Sequence, residues 1–374
     1  MGKKIKRGLV LTGGGARGAY QVGALLAVAE ICKEIGVKNP FQIFSGSSAG
    51  AINAIFMASQ AENFSVGVEK LKTLWESMDV DNIYKSNLLS LFKTGLQFVF
   101  ELSLGGLYKK KQARALLDTS PLRELISDNV NFSKVQENID TGILHGVSIT
   151  TMNYTTGNSR IFVQGNESIE NWKRVRRLSV KAKLNVKHIL ASSAIPILFQ
   201  PVKIFGHYYG DGSLRNYTPL SPAVKMGADK VMVIGVRLKE KKIDERVQAL
   251  PSLARILSMV LNSVLHDAID LDYEYLERIN KTIGTYKEDP RHSYKKLSVL
   301  ISRPSMDIGK IALEEMEHLP KSIAYFLRGL GTHKEAADLT SFLLFEPSYT
   351  KRLIQLGYSD VKGQANDVKA FFSE

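Results

Sequence analysis

The chain has 374 residues, with 50 Lys and Arg against 37 Asp and Glu, a formal charge of +13. Apolar residues at 44% and charged residues at 23% exclude a disordered chain and a polytopic membrane protein. The single cysteine, Cys32, excludes an internal disulfide framework and a cysteine-based zinc site, and fits a cytoplasmic protein. The length suits about two domains of roughly 150 residues, or one large α/β domain with an extension.

At the N-terminus, Lys3, Lys4, Lys6 and Arg7 precede only Leu9, Val10 and Leu11 before three glycines, too short a run for a signal-peptide core. Lys6 stands where a myristoylation signal on Gly2 wants Ser or Thr. Residues 5–12 read as a buried strand ending in Gly13-Gly14-Gly15, and 17–35 as a helix stopped by Gly36. A second strand, 41–44, runs into Ser45-Gly46-Ser47-Ser48-Ala49-Gly50 and then an almost wholly apolar helix, 51–58, the composition of a buried one. Residues 142–151 and 159–163 read as a hairpin, and 230–238 and 296–301 as central strands. This alternation predicts a mostly parallel sheet covered by helices on both faces. In 251–279, Leu257, Leu261, Val264, Ala268, Leu271 and Tyr275 form one stripe, expected to pack on the sheet rather than to seal a dimer. Pro320 interrupts a further helical region, and Pro347 opens a last helix expected to end at Gly357.

Gly13, Gly15 and Gly18 fit the dinucleotide pattern, but the acidic residue that should end the next strand is missing, which argues against nicotinamide chemistry. Glycines at a helix N-terminus also leave several N–H groups aimed at one point, a geometry that holds an oxyanion. Gly46-Ser47-Ser48-Ala49-Gly50 is a G-x-S-x-G elbow in a strand, turn and helix context, with Ser48 as nucleophile. Of the seven histidines only His207 sits near supporting acid chemistry, four residues before Asp211. Local sequence leaves Asp211 as either a turn former or a base.

Gly13-Gly14-Gly15-Ala16-Arg17-Gly18, then Gly46-Ser47-Ser48-Ala49-Gly50, then Asp211-Gly212, in this order and spacing, resemble the patatin-like phospholipase family. Residues 191–196 before the aspartate and Asn216, Pro219 and 227–229 after it add to the resemblance, which covers roughly residues 8–235. It implies a three-layer α/β/α fold with a catalytic part over 8–224, the rest of the chain adding strands and helices that complete the core. It also implies a dyad of Ser48 as nucleophile and Asp211 as base. The oxyanion hole is placed in Gly13, Gly14, Gly15, Arg17 and Gly18, with the N–H groups of Gly14 and Gly15 the leading choices. Ser213 departs from the usual Ala or Gly after Asp-Gly, and its hydroxyl is expected to lower the basicity of Asp211. Burial of Asp211 under the aromatic strand 205–209 is expected to raise it.

The expected activity is hydrolysis of phospholipid or lysophospholipid acyl esters through an acyl-enzyme, with no metal and no cofactor. An acyltransferase and a weakly catalytic, basic membrane-binding module are the alternatives; Ser47 replaces the histidine that acyltransferase relatives place beside the nucleophile. The basic clusters Lys109-Lys110-Lys111 with Arg114, residues 173–177 and residues 239–246 suit solvated surface or an anionic membrane. No aromatic-studded motif accompanies them, which argues against nucleic acid. The apolar stretch 87–108 ahead of the lysine triplet reads as a core helix or an interfacial lid. A soluble cytoplasmic protein, peripheral at the membrane, is the expected setting.

Overall fold

Arg7–Leu11 has no polar face, the composition of a strand covered on both sides, and in the computed structural model it is β1, in the middle of a sheet that has ten strands among the described residues. The structure describes residues 5–85, 115, 117–238, 250–266, 268–285 and 296–373. β2 (Ile43–Ser47) is parallel to β1, and on its far side β3 (Gly146–Asn153) is parallel to β2. β3 turns back antiparallel into β4 (Ser159–Gly165), and β5 (Lys173–Arg174) and β6 (Arg177–Lys181) finish that edge. β7 (Val202–Ile204) and β8 (His207–Asp211) form a hairpin whose second strand also pairs with β3. β9 (Lys230–Ile234) and β10 (Ser298–Ser302) extend the other side of β1, both parallel.

Side chains alternate across this sheet and divide between two cores. Leu9, Leu11, Phe44, Met232 and Ile234 belong to one; Val10, Ile43, Val231 and Val233 belong to the other. The first is covered by α1 (Ala19–Glu34), α2 (Ala49–Ser59), α3 (Phe64–Glu76) and the C-terminal helices Pro347–Gly363 and Ala365–Ser373. The second is covered by the helices Ser221–Lys225 and Ala268–Thr285. The result is the expected three-layer α/β/α arrangement around a mostly parallel sheet, and the hairpin of β3 and β4 lies where the sequence puts it.

Three local expectations are corrected. β2 starts later than the apolar run and continues through Ser45-Gly46-Ser47, because those residues stay in register with β1 and β3. The stripe in the C-terminal third does not cover the sheet: Leu271 and Tyr275 are more than half exposed, and the chain forms two helices, Leu253–His266 and Ala268–Thr285. The buried positions are Ala254, Ser258 and Ile269, with Asp272 accepting from the Leu220 N–H at 3.0 Å, so the helices are rotated relative to the expected stripe. Gly357 does not end its helix, which runs on to Gly363; instead it faces Gly23 of α1, and a Cβ on either residue would overlap backbone of the other helix. The expectations for 87–108, for Lys109-Lys110-Lys111 with Arg114, and for 239–246 lie outside the described residues. No described helix is long and apolar enough to cross a membrane.

Candidate active site

β1 and β2 end side by side, Leu11 opposite Gly46, so the two glycine-rich turns leave the sheet next to each other. Ser48 follows β2 directly, N-caps α2 and holds φ 53°, ψ −129°, a backbone region non-glycine residues avoid. Such strain costs roughly 1–3 kcal/mol and persists only where the surroundings enforce it. Here they do. A Cβ on Gly46 would overlap the Gly50 carbonyl, and one on Gly50 would overlap the carbonyls of Leu11 and Thr12. The Ser48 N–H donates to Ser192 Oγ at 3.0 Å, and Ser192 Oγ donates in turn to the Thr150 carbonyl at 2.6 Å. Ser192 was part of the recognised motif, but its role as a strut between elbow and sheet appears only in three dimensions.

β8 brings Asp211 to the same place from the opposite direction. β4 occupies one side of β3, and the other side is shared end to end by β2 and β8: Ser47 pairs with Thr150, and Asp211 with Thr151. A Cβ on Gly212 would overlap the Thr150 carbonyl, so the chain leaves β8 by a path only glycine fits. The Asp211 N–H donates to the Ala194 carbonyl at 2.9 Å, and Oδ1 accepts the Ser213 N–H at 2.8 Å. Oδ2 is buried and has no hydrogen-bond partner among the described residues. Burial pushes the carboxyl up to about 6; the nearby Ser48 hydroxyl and both the N–H and hydroxyl of Ser213 act the other way, favouring its charge. The Ser48 hydroxyl therefore lies beside the carboxyl without an aligned hydrogen bond to Oδ2.

Ser213 also donates its hydroxyl to Ser47 Oγ at 3.2 Å, tying the Asp-Gly turn to the elbow. The aromatic strand does not supply the burial expected of it, since Phe205 and Tyr208 are exposed and only Tyr209 is buried, packed edge-on against Phe162. The side chains that lie against the carboxyl are instead Ser48 of the elbow and Ser213 of the Asp-Gly turn. His207 is exposed at the far end of β8.

The glycine turn passes against the nucleophile: a Cβ on Gly13 would lie 2.9 Å from that of Ser48. Gly14 is pressed on Val236, and Gly15 adopts φ 55° with the Phe342 carbonyl where a side chain would be. Gly18 is packed on Trp75 and Ala49. Arg17 departs from the oxyanion expectation. Its N–H donates to the Gly14 carbonyl at 3.1 Å, and its buried guanidinium runs into the C-terminal helices. There it meets Ser341 Oγ at 2.7 Å, Asn262 Oδ1 at 3.3 Å and the Asp338 carbonyl at 3.2 Å, and lies 4.0 Å over the Phe342 ring. Sequence reasoning also missed Gln21, Asn53 and Trp75. Gln21 donates to the Thr12 carbonyl at 2.9 Å, Asn53 to the Gly18 carbonyl at 3.2 Å, and the Trp75 indole N–H to Asn53 Oδ1 at 2.7 Å. The signal was present as two buried amides in otherwise apolar helices, which need partners.

A family model described as patatin-like phospholipase matches residues 9–224. A protein called probable lipid hydrolase 463L, from Invertebrate iridescent virus 6, is 26% identical over 222 residues, 59% of this chain and 64% of that protein's length. Among solved structures, VipD from Legionella pneumophila is 13% identical with a TM-score of 0.40, covering 97% of this chain and 67% of that one. Human GIVD cytosolic phospholipase A2 in complex with methyl gamma-linolenyl fluorophosphonate is 13% identical with a TM-score of 0.45, covering 98% of this chain and 58% of that one. With more than half of its length matched by the family model, and both glycine turns inside the match, the chain belongs to the patatin-like phospholipase family.

Proposed function

We propose that the protein is a carboxylic ester hydrolase acting on lipid acyl esters, with Ser48 as nucleophile and Asp211 as its base, and that phospholipid or lysophospholipid is its substrate class. The observation that carries this reading is the end-to-end meeting of β2 and β8 on β3. It sets a strained, buried serine beside a buried carboxyl whose Oδ2 is left to accept a proton. Family membership and the viral relative's name support the lipid ester over other acyl compounds.

In this mechanism Ser48 Oγ attacks the ester carbonyl and its proton passes to Asp211. An ordinary aspartate, near 3.9, is a weak base for a hydroxyl; raised to about 6, Asp211 is more basic yet still about nine-tenths ionised at pH 7. The backbone N–H groups of the glycine turn face the developing oxyanion, where each donor is worth about 2.7–4 kcal/mol of barrier. Asp211 then returns the proton to the leaving alcohol, and a water activated by the same carboxylate hydrolyses the acyl-Ser48 ester. The N-terminus of α2 adds favourable potential for the negative charge.

The test compares wild type, Ser48→Ala and Asp211→Asn on a soluble p-nitrophenyl ester and on phospholipid vesicles, with products identified by mass spectrometry. Release of fatty acid by wild type alone supports the reading. Undiminished release by Ser48→Ala contradicts it.

A further inference from the structure

Three hairpins rise from the edge of the sheet that holds Ser48 and Asp211, and their placement follows from register. Gly210, Met152, Ser159, Arg177 and Arg174 stand in one row across β8, β3, β4, β6 and β5, next to the row of Asp211 and Thr151. Beyond that row the chain turns back at residues 154–158, at Val175-Arg176 and at Phe205-Gly206. At about 3.3 Å per residue, Phe205 stands roughly 15–20 Å past Asp211.

Two of the three turns, Val175-Arg176 and Phe205-Gly206, carry an apolar side chain into solvent, while 154–158 is polar apart from Tyr154. Val175 is 86% exposed and Phe205 76%, and Tyr154, Ile197 and Tyr208 are exposed around them. Phe205, Arg176 and Ile197 hold φ of 46°, 56° and 70°, which bulky and β-branched residues adopt only when held there. The charge on the same segments is one-sided. Residues 150–160, 173–178 and 197–217 together contain seven Lys and Arg and a single acid, the buried Asp211. Lys173, Arg174, Arg176 and Lys203 are exposed beside the tips. Asp272 is the carboxylate that faces Arg177; burial and then Arg174 hold Arg177 below its usual range, and burial, Arg174 and Arg177 do the same to Lys225. Cations are crowded along this rim.

We propose that the rim formed by the β5–β6 and β7–β8 turns seats on an anionic lipid surface, with Phe205 and Val175 entering the headgroup layer and Lys173, Arg174, Arg176 and Lys203 against the acidic headgroups. This turns the Ser48 edge of the sheet towards the bilayer, and it rests on the lipid-ester reading above. Apolar tips ringed by cations match such a surface in both side-chain character and charge. Each basic residue brought to an anionic membrane contributes about 1 kcal/mol, about a fivefold factor in binding.

The experiment measures cosedimentation of Ser48→Ala protein, which cannot consume the lipid, with vesicles of phosphatidylcholine alone or with about one third phosphatidylserine. Binding to the anionic vesicles only, weakened by salt, is expected. Lys173→Glu/Arg174→Glu/Arg176→Glu is expected to weaken it by about a hundredfold or more at low salt, and Phe205→Asn/Val175→Ser at any salt. Both sets are exposed, at the turns or on the short edge strand β5, and in the Ser48 background both are expected to turn over a soluble p-nitrophenyl ester like wild type, which reports folding. If that ester is hydrolysed through Ser48 while the rim variants bind vesicles unchanged, or if neutral vesicles bind as well as anionic ones, the rim proposal is overturned and the hydrolase reading stands. If no ester is hydrolysed but binding follows lipid charge and the rim residues, the rim stands and the hydrolase reading falls.

Discussion

The two turns that meet at the site leave adjacent parallel strands at the same level, yet they are held in different ways. The elbow after β2 is held by the close fit of its own glycines, Gly46 on Gly50 and Gly50 on the end of β1, with one remote hydrogen bond from the Ser48 N–H to Ser192, and the strain falls on Ser48. The glycine turn after β1 is held from far along the chain. Phe342 occupies the space beside Gly15, Val236 presses on Gly14, and Arg17 is tied to Ser341, 324 residues away. Most of what fixes Ser48 is steric closeness between its own glycines and the end of the neighbouring strand. The glycine turn has one long side chain, Arg17, and that side chain ties it to the C-terminal helices. The helices outside the family match therefore reach the site through Arg17.

The sharpest break of this comparison is at the elbow. Ser48→Ala should lower ester turnover by roughly 10⁴-fold or more while leaving the fold intact, and Asp211→Asn should come close to it, with the double variant no worse than the single ones. Steady-state kinetics on a soluble ester check this. Asp211→Asn carries a second signature. The folded carboxyl, at about 6, holds its proton more tightly than the unfolded one, near 3.9. The native state therefore binds more protons across this window, and the Asp211 contribution to stability falls as pH rises from about 4 to 6 and stays low above it. Asn removes that penalty, so the variant should be more stable than wild type by about 3 kcal/mol at pH 8, and the gain should vanish near pH 4; urea unfolding at both pH values measures it. By the same shift, wild-type kcat/KM should fall on the acid side with a midpoint close to 6.

The remote anchor should give an intermediate effect. Arg17→Ala is expected to lower kcat by about 10²-fold with little change in KM, because the turn, not substrate binding, loses its support. It should also destabilise the fold by about 2–4 kcal/mol as Asp338 and Ser341 each lose one of their partners. Ser341→Ala should cost about 1 kcal/mol and a few-fold in kcat. A fall in KM-dependent binding alone, or wild-type kcat in Arg17→Ala, would separate the turn from the C-terminal helices. The smallest effect is expected at Ser213→Gly. It removes a hydroxyl that favours the Asp211 charge but keeps the N–H, so the acid limb of the pH profile should move slightly upwards.

The difference between the turns also explains what could be read in the sequence. Strand, turn and helix around Ser48 are local, so the elbow, the parallel sheet and the hairpin of β3 and β4 were legible from spacing. Asp211 was half legible. Its Asp-Gly turn was visible, but its position end to end with Ser47 depends on two strands sharing one side of β3, a tertiary fact. Arg17 read as part of the anion turn because its backbone sits there; the destination of its side chain is set by the helices Leu253–His266 and His333–Leu343, whose place beside the turn is a tertiary fact. Gln21 and Asn53 looked like ordinary polar interruptions, since the carbonyls they satisfy are exposed only by the fold.

The most direct test of Ser48 as nucleophile and Asp211 as its base is labelling with a fluorophosphonate, followed by peptide mapping of the modified residue. Modification should be stoichiometric, confined to Ser48, and slowed strongly by Asp211→Asn. Labelling of a different serine, or rapid labelling of Ser48 that ignores the loss of the carboxylate, would contradict the dyad.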